Sequence, residues 1–231
     1  MLPEAAKAGF RIVRAWMEEW MLGLTLRQQV RFLAFGIALG AACGAYAESG
    51  PKLPPVPAEV MKGEIWVGRA DAESDEVPTF VAYALIDAPP KMVWQVVSHC
   101  GGYASYMPRV LASRELSKEG DIVVCEVTID MPFPFSDLTS VTRAVHRADA
   151  TSGQYSRVWN LVKGDYDVNK GAWRLRAVEN GTRTLATYQV TAKPDIPVPT
   201  GLAALFQQGP LIKSMEALRR ETRSRMAATQ P

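Results

Sequence analysis

The feature that most constrains this chain is a run of six strand-like segments followed by a single helical segment. Between residues 109 and 193, β-branched and aromatic stretches are separated by short turns, as is typical of consecutive antiparallel strands. Residues 122–130 show this most clearly, because apolar side chains occupy every second position. Asn180-Gly181, between the last two segments, is a strong hairpin signal. The pattern therefore predicts a largely antiparallel sheet.

Two further strands and two short helices are predicted before this run. Residues 65–67 and 79–86 are rich in β-branched and aromatic side chains and predict strands. A short helix is expected over residues 91–98, with Asp87 as its N-cap and prolines in its first turn. A second short helical turn is expected over residues 103–107, where Pro108 stops it.

The C-terminal segment has helical rather than strand periodicity. Apolar residues between positions 201 and 226 recur at helical spacing, and Gly209-Pro210 predicts a kink or a break in this helix. One amphipathic helix can cover the concave face of a sheet but cannot fill it, and leftover volume of this kind is where ligands usually bind. We therefore predict an α+β fold in which a curved antiparallel sheet wraps around a long C-terminal helix and encloses a cavity.

The N-terminal region has the pattern of an export signal. Residues 32–47 carry no charge, follow Arg27 and Arg31, and end in Ala45-Tyr46-Ala47. A basic flank, a short apolar stretch and a small-x-small end describe a secretory signal peptide. The apolar run is shorter than the roughly 20 residues of a comfortable membrane span.

We interpret residues 1–47 as this signal, with Met21 as an alternative start. An uncleaved N-terminal anchor and lipid attachment at Cys43 remain open. Residues 48–59 are proline-rich and predict an extended linker. The ligand-binding domain is predicted over residues 60–226 and a disordered tail over residues 227–231. The expected location is outside the cytoplasm, periplasmic or secreted.

Cys100 and Cys125 have two interpretations. In an oxidising compartment they would form a disulfide. Alternatively, they are buried thiols that act as small apolar side chains. The second interpretation is favoured because Cys125 lies within an apolar strand-like run.

Charge and motifs argue against several function classes. The 26 basic and 24 acidic residues nearly balance, which gives no electrostatic footprint for nucleic acid. The two histidines, His99 and His146, are far apart and no zinc-type ligand cluster accompanies them. A nucleophile elbow and a phosphate loop are also missing from the sequence. We therefore predict no metal, no cofactor and no catalytic set.

The early helices carry a family resemblance. Ile86-Asp87-Ala88-Pro89-Pro90 with Val93-Trp94, and then residues 103–108 (YASYMP), resemble the START-like superfamily, also called Bet v 1-like, SRPBCC or helix-grip. That superfamily includes START lipid-transfer domains and the polyketide cyclase/dehydrase group. Residues 136–143 and 171–175 resemble START domains more specifically.

The resemblance implies a hydrophobic cavity beneath the C-terminal helix, and a buried acid–arginine pair in some sterol-binding members. Glu126 and Arg143 lie on neighbouring predicted strands and are candidates for that pair. The alternative is that both are solvent-facing strand charges. Phe133 and Phe135, set among prolines, are expected to cover the cavity or touch a membrane. The candidate cavity residues are Trp94, Glu126, Phe133, Phe135, Arg143, Trp159, Trp173, Tyr188, Leu205, Phe206, Ile212 and Met215.

Three functional hypotheses follow from these observations. The first is a monomeric, non-enzymatic carrier that binds a hydrophobic small molecule, namely a sterol, fatty acid or phospholipid, and contacts membranes transiently. The second is a polyketide cyclase or aromatase that uses the same cavity, with Glu126, Arg143, Tyr166 and Tyr188 as candidate acid–base groups. The third is an interaction module whose own side chains fill the cavity. The tryptophans fit either a cavity wall or a packed core.

Overall fold

The computed structural model describes residues 53–70, 77–196 and 208–229. The predicted signal segment, Met21, Cys43, Leu205 and Phe206 lie outside these residues. In chain order the elements are α1 (Ala58–Met61), β1 (Trp66–Arg69), β2 (Thr79–Ile86), α2 (Pro90–Val97), a 3₁₀ helix (Cys100–Ser105), β3 (Val110–Glu119), β4 (Ile122–Ile129), β5 (Leu138–Asp149), β6 (Gln154–Gly164), β7 (Tyr166–Val178), a 3₁₀ turn (Glu179–Gly181), β8 (Arg183–Pro194) and α3 (Gln208–Thr229).

The strands form one antiparallel sheet in the order β1-β2-β8-β7-β6-β5-β4-β3. Each strand from β3 to β7 pairs with the next strand along the chain, which is the predicted meander. Strand β2 pairs with β8 over its full length. Strands β1 and β2 therefore extend the same sheet beyond β8. This curved sheet and its C-terminal helix form the predicted α+β helix-grip fold.

Helices α2 and α3 cover part of the concave face and form the main core. Val93, Val96 and Val97 of α2 are fully buried, as are Met215 and Leu218 of α3. They pack on small residues of the sheet, such as Ala82, Ala84, Ala144 and Ala186. Small side chains at these positions let the helices approach the sheet closely. The core therefore occupies one end of the concave face and leaves the other end for the site.

Helix α2 begins differently from the prediction. Pro89 is its N-cap residue, and no described side chain caps the helix with a hydrogen bond. The carboxylate of Asp87, the predicted N-cap, instead accepts hydrogen bonds from Arg183 of β8 at 2.6–2.7 Å. Prolines at the helix start make a cap less necessary, since they bring no N–H of their own.

Part of the predicted linker packs against the domain. Val60 of α1 is fully buried, and the Tyr83 hydroxyl donates a hydrogen bond to the carbonyl of Pro54 at 2.7 Å. Val60 clusters with Val81, Tyr83 and Leu185 on the convex face of the sheet. Residues 53–60 therefore cover the second face of β2 and part of β8, which explains why almost every residue of β2 is buried.

Strand β7 begins at Tyr166, close to the end of β6 at Gly164. The β6–β7 connection is a tight turn at Gly164-Asp165, and Tyr166 already pairs with Pro194 of β8. Gly164 has φ 134°, and a Cβ there would collide with the backbone of Thr139, so the close turn requires glycine. Residues 166–171, which include Asp167, are therefore part of strand β7.

Cys100 and Cys125 form a disulfide, with Cα atoms 6.4 Å apart. The interpretation as two free thiols was therefore wrong. Both residues are fully buried, as that interpretation required, but the 3₁₀ helix after α2 also brings Cys100 over β4. Burial of each cysteine was readable from the sequence, whereas their contact depends on how the chain returns from α2 to the sheet.

Helix α3 runs from Gln208 to Thr229, three residues beyond the predicted end. Pro210 lies in its first turn, where a missing N–H breaks no helical hydrogen bond. Arg219 anchors the helix to the sheet by donating hydrogen bonds to the carbonyls of Leu85 and Gly63. Among the described helices, none combines the length and the apolar character that a bilayer crossing needs.

Candidate ligand-binding cavity

A cavity of about 570 Å³ lies between the concave face of the sheet and the start of α3. This volume falls within the roughly 300–1,000 Å³ of small-molecule sites. The walls are mainly apolar and aromatic. Residues from the sheet, the 3₁₀ helix and α3 line it, including Phe80, Tyr103, Met107, Val127, Ile129, Thr142, Arg157, Trp159, Trp173, Tyr188, Val190 and Leu211.

One row of side chains crosses the sheet at the deep end of this cavity. The strand register aligns Tyr188 of β8 with Trp173 of β7, Trp173 with Arg157 of β6, and Arg157 with His146 of β5. Opposed residues of neighbouring strands share a face of the sheet. The row therefore lies between the core packed under α2 and the later part of α3 and the open volume at the start of α3.

Three aromatic rings form one wall. Tyr188 stacks on Trp173 with ring centroids 4.0 Å apart and planes at 2°, and it lies 6.1 Å from the ring of Trp159. Trp173 is 2 % exposed and Trp159 is 6 % exposed. The wall is therefore rigid and apolar, and it suits a flat or chain-like hydrophobic ligand.

Trp159 is fixed in place by a polar pair and a glycine. Its Nε1 donates a hydrogen bond to Asn169 Oδ1 at 3.1 Å, and Asn169 Nδ2 donates one to Ser140 Oγ at 3.2 Å. Gly171, opposite Trp159 on β7, leaves room for the indole, because a Cβ there would collide with the ring and with the carbonyl of Gln189. These contacts orient the ring and pair its N–H.

Arg157 is a buried cation in the cavity wall, and its residue is only 4 % exposed. Its guanidinium carbon lies 5.4 Å from the ring centroid of Trp159 and 5.8 Å from that of Tyr103. Nη2 lies 3.4 Å from Cys125 Sγ, and Nε has no hydrogen-bond partner among the residues that the structure describes. Arg157 was not among the residues predicted to line the cavity, although Tyr155, Arg157 and Trp159 are the buried, alternating positions of β6 and mark it as a concave-face position.

Burial sets the protonation of the groups around the cavity. It raises the pKa of the Tyr103 and Tyr188 hydroxyls, and it raises that of Tyr166 to about 12. Burial, with help from the charges of Arg157 and Lys118, lowers the pKa of His146 to about 4. At neutral pH these tyrosines and this histidine are uncharged, so the guanidinium of Arg157 dominates the field at the deep end.

Three of the predicted cavity residues line the cavity: Trp159, Trp173 and Tyr188. Trp94 lies in the core instead, stacked on Tyr155 and edge-on to His146. Met215 is also core. The helical repeat of α3 explains this, because Leu211 and Ser214 take the cavity-facing positions, while Ile212 is 36 % exposed and faces outward.

Glu126 and Arg143 do not form the expected pair in the cavity. Glu126 accepts a hydrogen bond from Arg114 of β3 at 2.8 Å, and Arg143 is exposed. The reason is strand alternation: Cys125 faces inward, so Glu126 faces outward, and Thr142 rather than Arg143 lines the cavity. Both side chains point away from the cavity, as the alternative interpretation of solvent-facing strand charges predicted.

The loop between β4 and β5 holds Phe133 and Phe135. Phe133 is 97 % exposed, and Phe135 is half-buried. Neither is among the residues found lining the cavity, whereas Met131, at the start of the same loop, does line it. The loop therefore adjoins the cavity and presents an aromatic ring to solvent.

Comparison with known proteins places the chain in a family. Residues 86–219 match the model of the family described as polyketide cyclase / dehydrase and lipid transport. Because the match spans more than half of the chain, the protein belongs to that family. No curated protein sequence matches significantly.

Solved structures share the fold. A STAR-related lipid transfer protein from Xanthomonas axonopodis is 22 % identical with a TM-score of 0.59, over 73 % of this chain and 97 % of that one. Human STARD10 is 14 % identical with a TM-score of 0.61, over 77 % and 74 %. The Zhui aromatase/cyclase from Streptomyces sp. R1128 is 15 % identical with a TM-score of 0.50, over 68 % and 100 %.

The predicted START-like, SRPBCC resemblance is confirmed by the family match and by these folds. The chain is therefore a domain of the polyketide cyclase / dehydrase and lipid transport family with a START-like fold. The description of this family covers both polyketide cyclases and lipid transport, so membership alone leaves both activities open.

Proposed function

We propose that this protein binds a lipid in its internal cavity and carries it outside the cytoplasm. The observation that supports this most directly is the aromatic and aliphatic lining of the 570 Å³ cavity. Burying the apolar part of a ligand there contributes roughly 25 cal/mol for each Å² removed from water. A lipid tail that packs against this wall would gain binding free energy along its whole length.

The titratable groups of the lining favour binding over acid–base chemistry. They are Tyr103, Tyr166 and Tyr188 together with Arg109, Arg157 and Lys193. The buried tyrosines have raised pKa values, and arginine stays protonated in proteins. A general base at neutral pH needs a pKa near the working pH. Of the candidates for a cyclase, Glu126 and Arg143 lie on the outward face.

Export is supported by two independent features. One is the predicted signal segment at residues 1–47. The other is the Cys100–Cys125 disulfide, since disulfides persist in oxidising compartments and are rare in the cytosol. A lipid carrier located there would move its cargo between membranes through an aqueous space.

Membrane contact is proposed at the loop that carries Phe133. An aromatic ring exposed to this degree is costly in water, and the loop adjoins the cavity through Met131. Insertion of Phe133 into a bilayer would bring the cavity to the surface from which a lipid leaves.

The test is to produce the full chain with its N-terminal segment in a host that secretes it, then analyse it by native mass spectrometry and solvent extraction. We expect a bound lipid mass and loss of residues 1–47. The Thr142→Trp variant, which puts an indole into the cavity, should lose the lipid, whereas Arg143→Trp, on the outer face, should keep it. A lipid-free protein that also takes up no added lipid would refute the carrier function.

A further inference from the structure

We infer that Arg157 binds an anionic head group, so that the cargo is an amphipathic lipid carrying a carboxylate or a phosphate rather than a neutral sterol or alcohol. This inference rests on the proposed function. It starts from one observation: a charged side chain is buried in the wall of an apolar cavity without an acidic partner among the described residues.

The other two cations of the lining are paired. Arg109 lies 3.5 Å from the carboxylate of Asp130, and Lys193 lies 3.1 Å from that of Asp167. Arg157 makes no ion pair with a described residue, and its described hydrogen bond goes to a disulfide sulfur at 3.4 Å. Sulfur is a weak acceptor. The guanidinium therefore retains donors for another group.

The surroundings of Arg157 stabilise its charge incompletely. Tyr103 and Trp159 present ring faces to the guanidinium, and such cation–π contacts stabilise a buried cation only in part. His146, opposite Arg157 in the sheet register, is neutral because its pKa lies near 4. The Tyr103 hydroxyl already donates to the carbonyl of Val97. The ligand that enters this space is thus the natural source of a counter-charge.

The position of Arg157 fixes the orientation of the ligand. It lies in the row that ends the cavity against the core, beside Trp173, whereas the apolar lining of Val190, Ile129 and Leu211 extends away from it. An anionic head group would therefore bind at the deep end and the tail would point towards α3. Guanidinium groups bind carboxylates and phosphates through two parallel hydrogen bonds, and this geometry suits both.

The experiment compares ligands that share a tail and differ in the head. Hexadecanoate, hexadecyl phosphate and hexadecanol are titrated into delipidated full-length protein, and binding is followed by the fluorescence of the cavity tryptophans and by calorimetry. We expect the anions to bind about 10- to 100-fold more tightly than the alcohol, as is usual for a charged hydrogen-bonded pair. The tighter of the two anions identifies the head-group chemistry.

The variant series localises the effect. Arg157→Gln should bring both anions to the affinity of hexadecanol while leaving hexadecanol within about threefold, and Arg157→Lys should keep part of the preference. Arg143→Gln, which removes an exposed arginine from the next strand, should change nothing. If Arg157→Gln fails to fold, the comparison of the three ligands on the unaltered protein still decides whether the cavity prefers an anionic head group.

Two failures are distinguishable. Hexadecanol binding as tightly as the anions overturns the role of Arg157 but leaves the carrier function standing. No binding of any of the three ligands overturns both.

Discussion

Tyr188 and Trp173 stack face to face, with ring centroids 4.0 Å apart and planes at 2°. They are register partners on β8 and β7, and both line the cavity. The pair therefore serves the stability of the sheet and the shape of the site together. Substitutions of Trp173 and of Tyr188 are expected to separate the contribution to stability from the contribution to the site.

Trp173→Ala should lower the free energy of unfolding by about 3–5 kcal/mol, because it removes a 2 % exposed ring and leaves a void. Urea denaturation followed by circular dichroism measures the change. Tyr188→Phe is the matched variant, since it keeps the stacked ring and removes a hydroxyl; we expect a loss below about 1 kcal/mol. Equal losses for both variants would contradict this division of roles.

The disulfide should contribute to stability through the chain it closes. Cys100 and Cys125 are 25 residues apart in sequence, and closing a loop of this length stabilises a fold by about 3.5 kcal/mol in the chain-entropy account. Adding a reductant should therefore lower the urea midpoint of the protein. The Cys100→Ala/Cys125→Ala double variant should start lower and show no response to reductant. A reductant-insensitive parent protein with two titratable thiols would show that the bond is absent.

Phe133 should govern delivery to membranes rather than binding. In a vesicle-to-vesicle transfer assay, Phe133→Ser should slow lipid transfer about tenfold or more, because it removes most of the transfer free energy of an inserted ring, which is of order 2 kcal/mol. Lipid affinity measured without vesicles should stay the same. Leu116→Ser is the control, since Leu116 is 44 % exposed near the opposite end of β3 and β4. Equal slowing by both variants would remove the special role of the loop.

Much of the fold was readable from the sequence because alternation and turn chemistry are local. Strand β2 was predicted at its observed bounds, Thr79–Ile86, and Ile122–Ile129 within one residue. The Asn180-Gly181 connection does link β7 and β8, although as a 3₁₀ turn with Asn180 at φ 58°. These features depend on neighbouring residues, and no long-range contact was needed to see them.

The site was harder to predict because it depends on which face of each strand is concave. Glu126 and Arg143 were selected for their chemistry and share the outward face, whereas Arg157 follows the inward alternation of Tyr155 and Trp159. The Cys100–Cys125 contact likewise depends on tertiary packing. Inward-facing positions can be followed from one strand to the next through the strand register. Doing so would have identified Thr142 and Arg157 as cavity residues.

His146 should make the protein sensitive to acid. Its pKa of about 4 in the fold lies below the roughly 6.5 of an unfolded histidine, so the unfolded chain takes up a proton first as pH falls. Stability is therefore expected to decrease between about pH 6.5 and pH 4, by on the order of 2 kcal/mol. Urea titrations of the parent protein and of His146→Gln measure this, with His99→Gln as the control. A parent protein and His146→Gln variant with the same pH profile would contradict it.

The same histidine reports on the charge of Arg157. That guanidinium lowers the pKa of His146, as do burial and Lys118, while Asp121 raises it. An anion bound to Arg157 cancels part of that field, so the pKa of His146 should rise when hexadecanoate binds and stay constant when hexadecanol binds. NMR titration of the imidazole resonances measures both cases, and the protein has only two histidines to assign. Arg157→Gln should raise the pKa without ligand and abolish the response to hexadecanoate. An unchanged His146 pKa in that variant would mean that the two side chains are screened from each other, since a charge removed at the register-paired position must otherwise be felt.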